Sequence, residues 1–252
     1  MSVLILSALR SEINSLLKSF RPQRIAAGKR FRIFRKDFDE KRIYFGVSGM
    51  GPKNIRRFFR TFFDFENNLQ LVISTGYAGA IDARLKAGQA VYAASMIDPA
   101  TGERLPACIP AEWKAARPHV FVTQGISLDS FAFEKEKRLL KKTYPDAGFV
   151  DMESLQTLKL CAGKGIKCAV VRGVSDEADF RFPDMDFVTD SWDMQTVRRL
   201  VCRSIKNPLN ILRFYRFQNK LLSARRTLSH ELHNIVTELL RNDSELIKKD
   251  RP

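Results

Sequence analysis

The chain has 252 residues, 44% of them apolar, and a formal charge of +15; this suits one large or two small folded domains and excludes a chain that is mostly disordered. Four cysteines without a CxxC pair, and three histidines with no ligand spacing to them, argue against a zinc site and a disulfide framework. No run approaches the roughly 20 apolar residues of a membrane helix, and Met1 to Leu9 lacks the basic start and cleavage site of a signal peptide, so a cytoplasmic location is expected.

In chain order, "VLILSAL" is a short apolar run that predicts a buried strand, and "RSEINSLLKSF" then switches to helical spacing at Ile13, Leu16, Leu17 and Phe20. "FRIFRKDF" and "KRIYFGVSGMG" alternate apolar and basic residues and predict a hairpin that closes on Gly49 and Gly51. Pro52 opens a predicted helix over "PKNIRRFFRTFFDF". "LQLVISTGYAGAI" predicts a buried strand running into a glycine-rich turn at Gly76 and Gly79. "GQAVYAASMI" and "HVFVTQGIS" predict two more strands. "DMESLQTLKLCAGKG" reads as a helix with a glycine stop at Gly163 or Gly165, followed by the strand "KCAVVRGVS". This alternation predicts an α/β fold, a three-layer αβα arrangement around a mixed, largely parallel central sheet.

In such sheets a ligand sits beyond the carboxyl ends of the strands. The segments there are Leu9 to Glu12, Ser48 to Gly51, Ser74 to Gly79, Ser127 to Phe131, Asp151 to Ser154 and Arg172 to Asp179. They pool carboxylates, small residues, glycines and an arginine, the makings of a polar pocket in an apolar fold.

Three of these blocks, "STGYAGAIDARLKAGQAV", "FVDMES" and "VVRGVSDEAD", resemble the signatures of the nucleoside phosphorylase and nucleosidase superfamily. Their order, with "LSALRSEINSLL" and "VSGMGPKNI", is similar to the 5'-methylthioadenosine/S-adenosylhomocysteine nucleosidase branch over residues 3 to 185. The resemblance implies cleavage of the N-glycosidic bond of a small-molecule purine nucleoside through a cationic sugar, with no cofactor and no metal. It also implies a homo-oligomer, a dimer being favoured, in which a neighbour helps to complete the pocket.

On that resemblance Asp176, after Ser175, stands at the position of the acid that protonates the departing purine, a role a sheltered carboxyl can fill. Read from the residues alone, Asp176 is equally a helix N-cap or a partner for Arg172. Glu153 matches the glutamate that binds the ribose hydroxyls and favours the developing positive charge, and Met152 the methionine against the sugar; their structural alternatives are a first-turn helix acid and core filling. Glu12 falls where the nucleosidase branch keeps a glutamate that handles the attacking water. Arg10 and Arg172 leave phosphorolysis open, since together they could grip phosphate as a co-substrate. Arg172 has a buried ion pair as its alternative. The stretch Gly76, Tyr77, Ala78 and Gly79 is expected to approach the ligand closely; Tyr77 departs from the small residue of the nucleosidases. Phe131 is placed to stack on the base, although 19 phenylalanines make a core role the simpler reading.

Positive residues crowd Arg21 to Arg60 and Arg198 to Arg226, without a recognisable nucleic-acid module, so a specific nucleic-acid partner is not expected. The sequence divides into a catalytic unit over 1–190 and a basic helical extension over 191–252 packed on the same domain. In the extension, Phe214, Tyr215 and Phe217 beside Arg213, Arg216 and Lys220 suit a membrane surface or a partner groove. That segment resembles the bacterial hopanoid-associated phosphorylase-like proteins, which implies an adenosylated lipid as one candidate substrate and a peripheral membrane contact. Three functions therefore stand: a nucleosidase acting on an adenosine-type nucleoside, a phosphate-dependent phosphorylase, and a non-catalytic nucleic-acid or membrane-surface binder on the same scaffold.

Overall fold

The computed structural model describes residues 1–29, 31–182 and 208–249. Strand β1 (Ser2–Ser7) is buried on both faces, as an inner strand of a parallel ladder must be. It pairs in parallel with β4 (Lys41–Val47) on one side and with β5 (Leu69–Ala80) on the other. Its side chains alternate between two layers. Leu4 and Leu6 pack with Phe58, Phe59 and Phe62 of α2 (Pro52–Phe62) and with Leu155 and Leu158 of α5 (Ser154–Ala162). Val3 and Ile5 face the opposite way, onto Ile13 and Leu16 of α1 (Arg10–Phe20) and Leu228, Leu232, Ile235 and Val236 of α6 (Pro208–Lys249). Each such fully buried side chain contributes about 1.5–3 kcal/mol, so the expected helix–sheet–helix layering follows from the period-two pattern.

On the β4 side the predicted hairpin forms, β3 (Arg32–Phe38) running antiparallel to β4. A further strand, β2 (Gln23–Ala27), pairs with β3 at the edge. It carried no sequence signal because none of its residues is fully buried. On the β5 side the sheet closes on itself. β5 pairs in parallel with β10 (Lys167–Asp176), which is antiparallel to β6 (Ala90–Ile97); β6 is parallel to β8 (Phe121–Ser127), and β8 to β9 (Ala147–Asp151). β9 then returns to the tip of β5 through the pairs Gly79–Val150 and Ala80–Phe149. The remaining small elements are β7 (Arg104–Pro106), paired to β6, and the helices α3 (Ala111–Ala116) and α4 (Glu134–Thr143).

The glycine-rich turn expected at Gly76 and Gly79 is not formed; the strand continues through both to Ala80. The glycines serve space rather than chain reversal. A Cβ on Gly76 would lie 2.8 Å from Glu12 Oε1, and one on Gly79 would lie 3.0 Å from both Asp176 Oδ2 and Lys137 Cε. Three buried side chains, Glu12, Asp176 and Lys137, approach the strand where it has none of its own.

Helix α6 is built into this scaffold. Its backbone approaches β10 so closely that a Cβ on Gly173 would meet the Ala224 carbonyl at 2.8 Å. Thr227 Oγ1 donates to the Gly88 carbonyl at 2.6 Å, and Tyr92 OH donates to Glu231 Oε1 at 2.6 Å. Arg117 pairs with Glu231 and, at 2.9 Å, with Glu238. The expected division at residues 190 and 191 lies outside the described residues.

Candidate active site

A cavity of about 340 Å³ opens at the carboxyl ends of β1, β5, β9 and β10, a volume in the range of small-molecule sites. Its floor is Tyr77, Ala78 and Gly79 of β5, and its walls include Met152, Glu153, Ser175, Asp176, Glu12 and Phe131. Phe217, Gln218 and Leu221 of α6 close one side. No lysine or arginine lines it among the described residues.

Glu12 is the third residue of α1, and the strand-to-helix turn folds its carboxylate back toward the sheet. Oε2 accepts the Leu9 N–H at 2.8 Å and Oε1 accepts the Tyr77 N–H at 3.2 Å. Glu12 is 5% exposed. Burial pushes its pKa up to about 7, against the Leu9 N–H and the charge of Arg172, which favour the ionised form. Glu153 stands at the residue before α5 without capping the helix through its side chain; its Oε1 instead accepts the Gly51 N–H at 2.9 Å, tying the loop after β4 to the loop after β9. Its pKa is likewise raised to about 7, first by burial and then by the neighbouring charge of Asp151, while the Gly51 N–H and Arg172 oppose the shift. At both positions burial thus favours the neutral carboxyl more than water does. Tyr77 lies beside them; burial and the charge of Glu12 push its phenol up to about 12, so it remains a neutral donor.

Asp176, 1% exposed, ends β10. Its partner is not Arg172 but Lys137 of α4, which forms a buried ion pair with Oδ2 and donates from Nζ to the Glu177 carbonyl at 2.9 Å. Ser175 Oγ donates to Asp176 Oδ1 at 2.5 Å. Burial raises the Asp176 pKa, and Lys137 and Ser175 pull against that shift. The next acid, Glu177, is turned away. Burial would raise it, but Lys220 of α6, at 2.5 Å from Oε1, holds it below its usual range.

Not every expected site residue reaches the cavity. Arg172 is 1% exposed and fully engaged: Nε donates to Asp151 Oδ2 at 2.8 Å, and one terminal nitrogen donates to Ser74 Oγ at 2.9 Å and Ser154 Oγ at 2.6 Å. Arg10 is exposed at the start of α1, and neither arginine, expected as a joint phosphate grip, is among the residues that line the cavity. Gly76 also stays behind the wall, under Glu12. Phe131 has a double place, lining the cavity while packing edge-on against Phe182 with ring centroids 4.8 Å apart. Lys137 was missed by sequence reasoning. Its one signal is its position in the stripe Phe133, Lys137, Leu140, Tyr144, where helical spacing puts a lysine among apolar residues.

An open groove of about 670 Å³ adjoins the cavity, sharing Met50, Ser130, Phe131 and Met152 with it and carrying Lys53, Arg56, Arg57 and Lys159 along its length.

Residues 2–206 match the family model described as the phosphorylase superfamily. Among solved structures, a 5'-methylthioadenosine/S-adenosylhomocysteine nucleosidase from Colwellia psychrerythraea in complex with adenine is 16% identical, with a TM-score of 0.68 over 95% of this chain and 96% of that one. The corresponding nucleosidase from Neisseria meningitidis, in complex with methylthio-immucillin-A, is 19% identical, with a TM-score of 0.68 over 94% and 99%. A futalosine hydrolase mutant of Helicobacter pylori is 20% identical, with a TM-score of 0.59 over 69% of this chain and 90% of that one. These similarities establish the shared fold.

Proposed function

The chain belongs to the phosphorylase superfamily, and we propose that within it this protein is a purine nucleosidase that hydrolyses the N-glycosidic bond of an adenosine-type nucleoside. The observation that carries this reading is the charge of the cavity: Glu12, Glu153 and Asp176 line it and, among the described residues, no cation does. Such a lining suits a substrate that becomes cationic at the sugar and repels a phosphate dianion. Arg172, the side chain best able to bind phosphate, is spent on Asp151, Ser74 and Ser154.

In this reading Glu153 faces the ribose hydroxyls and the developing sugar cation. Glu12, ionised, takes a proton from the attacking water, and Asp176 delivers a proton to a ring nitrogen of the leaving purine. Phe131 and Phe217 offer ring faces to the base, and Met152 packs against the sugar. The reaction needs no cofactor. The groove past Met50 and Met152 gives a bulky substituent on the sugar a way out of the cavity, in keeping with methylthioadenosine, adenosylhomocysteine or an adenosylated lipid as the substrate.

A peripheral membrane contact has one observation in its favour: Ile211, Leu212, Tyr215 and Leu222 of α6 expose apolar surface beside the exposed Arg216 and Arg226. Among the described residues no helix is long and apolar enough to cross a membrane.

The test is chromatography of products after incubation with methylthioadenosine, adenosylhomocysteine, adenosine and inosine, each with and without phosphate. Free base and free sugar in phosphate-free buffer are expected. Strict dependence on phosphate, with a sugar 1-phosphate product, would establish a phosphorylase instead. Folded protein that cleaves none of the four would count against the nucleosidase reading for these substrates.

A further inference from the structure

Lys137 is a fully buried ammonium whose long side chain reaches the base of the cavity without entering it. It is 1% exposed, and its Nζ is paired with Asp176 Oδ2, bonded to the Glu177 carbonyl at 2.9 Å and placed 5.7 Å from the centre of the Phe182 ring. Gly79, with no side chain, makes the passage: an ideal Cβ there would stand 3.0 Å from Lys137 Cε and 3.1 Å from Nζ. Burying a lysine is costly unless it is paired and hydrogen-bonded. The aspartate it pairs with lines the cavity, as Asp151 does, but Asp151 is served by Arg172 and the neighbouring Glu177 by Lys220. The chain thus keeps a proton-bearing group directly behind its cavity acid.

We propose that Lys137 is the positioning residue that supplies the leaving-group proton, through Asp176. The inference rests on the nucleosidase reading above. In the resting site the pair is Asp176 carboxylate and Lys137 ammonium. As the bond between the sugar and the purine breaks, its electron pair passes to the purine. Asp176 accepts a proton from Lys137 Nζ and passes it to a ring nitrogen of the purine, which leaves Asp176 ionised and Lys137 neutral. Water adds to the sugar carbon and gives its proton to Glu12. After the products leave, Glu12 releases that proton to solvent and the now neutral Lys137 takes one up, so the sum is nucleoside plus water giving purine plus sugar. Ser175, bonded to Oδ1, holds the carboxyl in place throughout.

The proposal separates two substrates. A purine nucleoside needs a protonated leaving group; 4-nitrophenyl β-D-ribofuranoside does not, because nitrophenolate leaves as a stable anion. In full-length Lys137→Met the ratio of purine-nucleoside turnover to nitrophenyl-riboside turnover is expected to fall about 100-fold, the scale of a general acid. Lys137→Arg keeps the charge but holds its proton too tightly to give it up, so its ratio should stay low. Small primary alkylamines should raise the ratio in Lys137→Ala, which a purely structural lysine would not explain. A ratio within about twofold of wild type in Lys137→Met, or a Lys137→Arg variant with the wild-type ratio, would overturn the proposal. Nitrophenyl-riboside cleavage confirms in each variant that the fold and the sugar end are intact, and loss of both activities with a normal melting temperature would also count against it. If wild type cleaves neither substrate, the nucleosidase reading itself fails and this inference falls with it.

Discussion

At the β1 end of the cavity, Glu12 and Glu153 are held by backbone N–H groups of Leu9, Tyr77 and Gly51, whereas at the β10 end Asp176 has an ammonium against one carboxylate oxygen and a hydroxyl against the other. Arg172 acts on the first pair only from a distance, through its field. Amide donors steady a carboxylate without fully offsetting its loss of water, so both glutamates are poised near neutrality. At Asp176 a buried cation in direct contact opposes the same loss without cancelling it, the carboxyl still being raised, and it places a proton-bearing group next to the acid. The two ends thus fit different tasks: sugar charge and water at one, the leaving base at the other.

The sharpest way to break this division is to replace its members singly. Asp176→Asn leaves Lys137 without its carboxylate and the purine without a donor path. Turnover of a purine nucleoside is expected to fall by about 10³-fold in steady-state assays, within the usual span of general acid catalysis. Glu153→Gln removes a negative charge from the place where positive charge develops and should cost about 10²-fold in kcat. An unchanged kcat with a raised KM would show instead that Glu153 only binds.

Glu12 links the comparison to stability. It titrates near 4.5 when unfolded and about 7 when folded, so between those values the folded state holds more protons. The result is a penalty that grows as pH rises from 4.5 to 7 and is complete above 7, with a ceiling of about 3 kcal/mol. Urea unfolding at pH 5 and pH 8 should show Glu12→Gln becoming more stable relative to wild type at the higher pH. A difference that does not change with pH would mean that Glu12 is ordinary in the folded state. Ser175→Ala should have the smallest effect, about 5-fold in purine turnover, the loss of a single hydrogen bond to a carboxylate.

Much of this was legible in the sequence, for identifiable reasons. Glu12, Glu153 and Asp176 follow apolar runs that form strands or strand-like ends, and the rule that ligands sit beyond the strand ends gathered them into one cavity. The glycines of β5 misled because glycine is most often a turn signal, whereas here it accommodates the side chains of other elements. Lys137 was hidden in "EKEKRLLKKT", where one buried lysine is surrounded by lysines that serve the surface. The basic residues of α6 drew the eye to a surface role. Its apolar stripe of Phe217, Leu221, Ala224, Leu228, Leu232 and Ile235 has clear helical spacing, and it both packs α6 on the sheet and closes the cavity. The ring closure from β5 through β9 could not be read locally, because it depends on pairings between residues about 70 apart in sequence.

The most direct test of the two-ended account is the turnover of an adenosine-type nucleoside and of 4-nitrophenyl β-D-ribofuranoside, measured side by side in wild type, Asp176→Asn and Glu12→Gln. The account predicts that Asp176→Asn loses the nucleoside activity and keeps most of the nitrophenyl activity, while Glu12→Gln loses both together. Equal losses on the two substrates in Asp176→Asn would contradict it, since Asp176 would then not serve the leaving base.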